Sequence, residues 1–370
     1  MVRKKNNYVM NMAKVKKLMT PTEAKVLIDL IRHQNQPDKK IAEAHGMAAS
    51  NFAVVKRHLE EKGVLQNIIS INMTKIKEVQ VVAFVWLKYN APIRPEYKEE
   101  LDTIRRNFPV ACTFGSQDWS LNVDYFGSFE EAENARLALN AYLNKNMSKY
   151  LSEYVWKMMP ISHLVSGVLE TRLMDYTINH KIKSTVCSLG SKECGLPAKR
   201  SEMKNLTQTE KKVLVGLRRN PGMKKSQIAK KLGLQQSSFS EVYRGLCRKG
   251  IIDGIRIVDP RKLPRRKIAT FAWMEFKQPM SEKKQKQLLA ELLNLTPQAY
   301  RLYATRTFIL LVSFNYSLEK AEETNLMMLE KFGDNLSRFN FKIVPTNSLT
   351  IDYTSYHIEK LFTTKKKSSK

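Results

Sequence analysis

The side chains with most to offer chemically sit at residues 225–252, KSQIAKKLGLQQSSFSEVYRGLCRKGII. Gln235 and Gln236 carry amides that suit an adenine edge, Arg244 has the fork that suits guanine, and Ser238 and Ser240 add adaptable hydroxyls. Lys224 and Lys225 suit phosphate oxygens, which hold register without reading sequence. No clustered acid and base stands beside them, so the set points to recognition rather than proton transfer.

A second stretch, KIAEAHGMAASNFAVVKRHLEEKGVL at residues 40–65, repeats the pattern 187 positions earlier. Each copy reads as a short helix closed by a glycine (Gly46, Gly233), a tight connection, and a second helix ending at another glycine (Gly63, Gly250) before an apolar pair. That is the layout of a helix-turn-helix running into a wing. Phe52, Val55 and Leu59, and likewise Phe239, Val242 and Leu246, recur at helical spacing and predict one inward stripe per copy. The opposite face is left for a ligand, and in the first copy it offers Ser50, Asn51, Lys56 and Arg57. Ser50, and Ser237 or Ser238, are expected to cap these second helices, with Ser238 and Glu241 as a capping box.

The repeat extends well beyond the helices. At the same offset Thr20 matches Thr207, Leu27 matches Leu214, Phe84 matches Phe271 and Trp86 matches Trp273; at an offset of 189, Leu121 matches Leu310 and Glu130 matches Glu319. So long a period predicts a duplicated domain pair, not a solenoid. After each winged helix, β-rich segments near 81–89, 110–115, 119–126 and 154–159 alternate with helices near 95–107 and 128–146, and the second copy follows suit. Strand, helix, two strands, helix, strand is the split βαβ, or ferredoxin-like, order. The expected fold class is α+β: a basic arm at 1–17, winged helix-turn-helix at 18–80, ferredoxin-like domain at 81–163, linker at 164–204, a second winged helix-turn-helix at 205–266, a second ferredoxin-like domain at 267–352, and a basic tail at 353–370.

Charge names the class of partner. The 370-residue chain has 63 Lys and Arg against 35 Asp and Glu, a net charge of +28, and double-stranded DNA is the expected partner. The two lobes are unequal: residues 19–80 hold nine basic and seven acidic side chains, a net of +2, whereas residues 201–268 hold eighteen and five, a net of +13. The second lobe is therefore the expected phosphate grip, with Lys224 and Lys225 at its second helix and Arg261, Lys262, Arg265, Arg266 and Lys267 on its wing. A sequence-indifferent chromatin or RNA-binding protein shares the charge but has no need of two recognition helices.

Cys112, Cys187, Cys194 and Cys247 fit neither a disulfide framework nor a zinc spacing, so no metal or cofactor is expected. The basic N-terminus lacks the apolar core of a signal peptide, and no apolar run is long enough to span a bilayer. The expectation is a cytoplasmic, nucleoid-associated protein without a membrane partner.

A winged helix-turn-helix followed by a βαββαβ domain resembles the Lrp/AsnC family of prokaryotic transcription regulators. FAVVKRHLEEKGVL and FSEVYRGLCRKGII fit that family's recognition-helix pattern, and FGSQDWSLNVDYF resembles its Gly-x-x-Asp hairpin. The resemblance implies DNA binding, a small-molecule effector near Gly115 and Asp118, and association through the ferredoxin-like domains. Here two copies in one chain could supply both halves, and chains could pair further as homo-oligomers. Val55 and Val242 stand where the family usually has arginine, with Arg57 and Arg244 two residues on, and the hairpin pair becomes Ala304 and Thr307 in the second copy. Siroheme decarboxylases are similar in architecture and place His and Arg in the ferredoxin-like pocket. The histidines here, at 33, 45, 58, 163, 180 and 357, fall mostly in helix-turn-helix or linker segments, so an enzyme is the lesser expectation.

Overall fold

A threonine–glutamate capping box opens the first lobe, where the Glu23 amide donates to Thr20 Oγ1 and the Thr20 amide donates to Glu23 Oε2. The structure is a computed structural model and describes residues 19–33, 36–105, 110–169, 203–254, 256–352 and 360–363. The N-terminal arm, nearly all of the C-terminal tail and most of the expected linker, with His180, Cys187, Cys194 and His357, lie outside the described residues.

In the first lobe α1 (Pro21–Arg32), α2 (Asp38–Ala44) and α3 (Ala49–Glu61) close over Leu27, Leu30, Ile41, Phe52 and Leu59, and β1 (Leu65–Gln66) and β2 (Ser70–Ile71) follow. Next come β3 (Val81–Tyr89), α4 (Pro95–Arg105), β4 (Val110–Ser116), β5 (Trp119–Phe126), α5 (Phe129–Tyr142), β6 (Leu151–Pro160) and β7 (Val165–Val168). The second half runs through α6 (Gln208–Arg219), α7 (Lys225–Lys231), α8 (Gln236–Arg248), β8 (Ile252–Gly254) and β9 (Ile257–Val258). It continues with β10 (Ile268–Phe276), α9 (Glu282–Leu295), β11 (Ala299–Ala304), β12 (Phe308–Asn315), α10 (Leu318–Phe332), β13 (Leu336–Pro345) and β14 (Thr350–Asp352). The fold class is α+β, with winged-helix lobes and ferredoxin-like sheets.

Each capping glutamate has a second task. Glu23 Oε1 lies 2.5 Å from Lys62 Nζ, at the end of α3, and Glu210, which caps α6 with Thr207, lies 2.5 Å from Lys249 after α8. One buried carboxylate thus fixes the start of a helix and ties it to the recognition helix. Gly63 and Gly250 then turn the chain out with φ of +66°, a conformation a Cβ would strain.

The strands alternate between two cores. Val82, Phe84 and Trp86 of β3 face the other sheet, while Val85 and Leu87 face α4 and α5; Ala269, Phe271 and Trp273 of β10 do the same against Ala272 and Met274. Within each unit the order β6-β3-β5-β4, or β13-β10-β12-β11, is that of a ferredoxin-like sheet. Rings fill the space between the sheets: Phe84 meets Tyr303 at 5.4 Å and Phe308 at 5.1 Å, and Phe271 meets Phe114 at 5.4 Å and Trp119 at 4.4 Å. Trp86 and Trp273 touch edge to face at 5.9 Å.

Two sequence expectations need correction. The segment beginning at 164 is not linker throughout, because β7 adds antiparallel to β11 of the second sheet; β14 returns the exchange by adding to β4 of the first. Each sheet thereby gains a fifth strand that covers an otherwise open edge. The first wing is not a strand pair of residues 65–71 with 79–87 either: β3 pairs with β5 and β6, while β1 pairs with β9, and β2 with β8, so each wing is completed by the other lobe. Two-residue strands cannot stand alone in water, and pairing across the lobes satisfies their backbone groups.

Truncating Trp86 to Ala is expected to cost about 3–5 kcal/mol, as for other buried tryptophans, measured by denaturant unfolding; because the strands interlock, both halves should lose stability in one transition. Burial pushes the Glu23 and Glu210 carboxyls up, but hydrogen bonds from Lys62 and Lys249, with the Thr20 and Thr207 amides, outweigh it and hold both below the ordinary range. Their stabilisation is therefore present above the unfolded value of about 4.3 and disappears as pH falls through the lower folded values. Replacing both with Gln should flatten the fall of melting temperature below about pH 4.5.

Candidate nucleic-acid interface

The two recognition helices begin two or three residues earlier than the serines suggest. Their N-caps are Ala48 and Gln235, neither giving a side-chain hydrogen bond, so Ser50, Ser237 and Ser238 do not cap and the Ser238–Glu241 box does not form. Gly46 and Gly233 end the preceding helices with φ of +70° and +66°, and the short turns then deliver the chain directly into α3 and α8. The serines fall inside the first turn, on the outer face. Ser50, Asn51 and Arg57 are exposed on α3; Gln235, Gln236, Ser238 and Arg244 are exposed on or beside α8, and Ser240 is half-buried.

Lys56 points elsewhere. Its Nζ lies 2.7 Å from Asp38 and 3.8 Å from Glu60, holding α2 against α3. The corresponding pair in the second lobe has different chemistry: Lys225 Nζ sits 3.4 Å from the centroid of the Tyr243 ring, and burial lowers its pKa. Both lysines therefore brace helix pairs. Lys224 and Lys230 are exposed beside them.

The wing cations divide. Arg266 is 3% exposed, donates from Nη1 to the Phe314 carbonyl at 2.8 Å and stacks on Tyr316 at 4.2 Å. Arg261 grips the buried Asp259 with Nε and Nη2 at 2.9 and 2.7 Å and reaches the Leu349 carbonyl at 3.0 Å. Arg266 joins the second wing to β12 of the second sheet and Arg261 joins it to the turn before β14, so both leave the expected phosphate set. Lys262, Arg265 and Lys267 remain exposed.

The lobes meet through more than the paired wings. Lys211 lies 2.7 Å from Glu78, Arg218 donates to the Ile69 carbonyl at 2.6 Å, and Arg256, 5% exposed, pairs with Asp38. Burial lowers the Arg218 pKa to about 10. Between the lobes lies a groove of about 770 Å³ whose lining includes Asp38, Lys225, Arg244, Arg248 and Arg256. Arg248, one turn beyond Arg244 on α8 and exposed, was missed; its i, i+4 spacing from Arg244 was the available signal.

The hairpin expected to hold an effector is engaged within the protein. Asp118 Oδ2 lies 2.6 Å from Lys342 Nζ on β13 and Oδ1 accepts from Ser116 at 2.6 Å, while Gly115 pairs with Thr350 of β14. Burial raises the Asp118 carboxyl, and the Lys342 and Ser116 hydrogen bonds outweigh it, leaving it below the ordinary range. Gly115 and Asp118 thus join the halves, through the β14–β4 pairing and the Lys342 ion pair. Among the described residues no three His, Cys, Asp or Glu side chains gather as a metal site would require, and no helix is long and apolar enough to cross a membrane.

The MarR family model matches residues 206–260, the second helical lobe with its wing. No curated protein matches the chain by sequence. Among solved structures, the siroheme decarboxylase NirDL in co-complex with an iron-uroporphyrin III analogue is similar over 92% of this chain and 97% of its own, at 12% identity and a TM-score of 0.50. AsnC of E. coli is 19% identical over 38% of this chain and 91% of its own, with a TM-score of 0.29. The first of these likenesses shows the fold; neither assigns an activity.

Arg265→Ala with Lys267→Ala is expected to weaken binding to all duplexes alike and leave the melting temperature unchanged, because both side chains are exposed. Arg266→Ala should instead lower stability by about 1–3 kcal/mol, since it strands a buried carbonyl. Parallel melting and anisotropy measurements separate the two outcomes.

Proposed function

We propose that the chain is a DNA-binding transcription regulator whose two helix-turn-helix lobes act as an intrachain pseudo-dimer on one pseudo-palindromic duplex site. The observation that carries this reading is the mutual completion of the wings, β1 with β9 and β2 with β8, which gives both recognition helices one common support. The net charge of +13 on residues 201–268 supplies the phosphate attraction, and the MarR-family match over residues 206–260 supports the same use. Gln235, Gln236, Ser238 and Arg244, with Ser50, Asn51 and Arg57 in the first lobe, are exposed, and this reading assigns them to base edges.

The whole-chain likeness to NirDL favours a second reading, a siroheme-decarboxylase-like enzyme. The histidines weigh against it. His33, His45 and His58 sit at or near helix ends of the first lobe, His45 held by Asp29 at 2.6 Å, and His163 lies in the turn after β6.

Roughly six to ten phosphate contacts should cost about three to five decades of affinity between about 50 and 200 mM salt. Fluorescence anisotropy with a labelled duplex reads this directly. A flat response, or a tetrapyrrole whose absorbance changes on incubation with the protein and which is then decarboxylated, would overturn the regulator reading.

A further inference from the structure

Resting on the DNA-binding reading, we infer that one position in each recognition helix sets the difference between the two half-sites: Val54 reads a thymine C5 methyl, and Glu241 accepts from the N4 amino group of a cytosine. The two residues occupy the same place. α3 begins at Ala49 and α8 at Gln236, so each is the sixth residue of its helix. Each also lies three residues before an exposed arginine, Arg57 or Arg244, and three and four residues after exposed partners, Asn51 and Ser50 or Ser238 and Ser237. Helical spacing places these four side chains on one outward face in each lobe. The face therefore repeats between the lobes as serine, a small polar side chain, a variable side chain and arginine, and the chemistry changes sharply at the variable position.

Both side chains are exposed and lie outside the hydrophobic cores. Val54 is 41% exposed although Phe52 and Leu59 of the same helix are buried, and it leaves apolar surface in water that a pyrimidine methyl would cover. Glu241 is exposed on the wall of the groove between the lobes, beside Arg244 and Arg248 of its own helix, and forms no ion pair among the described residues. A carboxylate at a DNA-facing position is repelled by phosphate and by the acceptor atoms of guanine and thymine, and on adenine by N7 beside the N6 amine, so its most favourable base contact is the cytosine N4 amine. The arginine one turn on presents the guanine-reading fork in both lobes, so the guanine should recur in both half-sites while the neighbouring pyrimidine differs.

The experiment selects duplexes with the full-length protein and then measures affinity for the selected duplex and its single substitutions. Replacing the critical thymine of the first half-site with uracil, which removes only the methyl, should weaken wild-type binding about fourfold, the worth of one buried methyl group. Val54→Glu should be indifferent to that replacement and should move its preference at that position from thymine to cytosine, by about tenfold on a contact of ordinary strength. Glu241→Val should make the reverse change in the other half-site. Both substitutions are at exposed sites, and unchanged melting temperatures confirm intact folding. Selected sites bound with unaltered base preference by both variants, or with no thymine sensitive to uracil, would overturn the inference and leave DNA binding standing; a wild-type chain that binds no duplex would instead overturn the reading beneath it.

Discussion

The arrangement depends on the aromatic contact between the two sheets. Trp86 and Trp273 meet at its centre, and Phe84, Trp119, Phe271 and Phe308 surround them. Each sheet is covered on its outer face by its own helices, so its inner face has no other partner; separating the sheets would expose several of the largest fully buried side chains of the chain. The exchange of β7 and β14 between the sheets follows naturally, because two faces already pressed together bring each unit's trailing segment to the other's edge.

With the sheets fixed, the helical lobes are brought close enough to share wings. The shared wings have a cost in reach: their backbones are paired with one another, and two of the arginines that looked free for phosphate hold the second wing down, Arg266 on β12 and Arg261 on the turn before β14. What remains outward is the start of each recognition helix and a band of lysines around the second. The asymmetry of charge between the lobes is matched by asymmetry in their internal braces, an ion pair of Lys56 with Asp38 in one and a lysine over a tyrosine ring in the other.

Much of this was legible in the residues. Strands β3 and β5 read directly from their β-branched and aromatic runs, and the helices from their apolar spacing and from Thr20 with Glu23, because these signals are local. What was not legible is non-local. The four residues of β7 and the three of β14 carry no pattern of their own; they become strands only because an edge waits for them. The pairing of the wing strands is hidden when the chain is read along its length, since the partner lies nearly two hundred residues away. An arginine gives no sign in sequence of whether it faces solvent or a carbonyl, and a serine near a helix start gives none of which turn it will fall in; Arg266 and Ser238 were misplaced for those reasons. The same holds for Asp118, whose partner Lys342 lies in the other half of the chain.

The central claim is that one chain presents two recognition helices to one duplex. A hydroxyl-radical footprint on a selected site, taken with the bound complex's mass, tests it most directly. One chain per duplex is expected, with two protected patches separated by about one helical turn or a multiple of it. A single protected patch of under about ten base pairs, with the second lobe's helix leaving no mark, would contradict it.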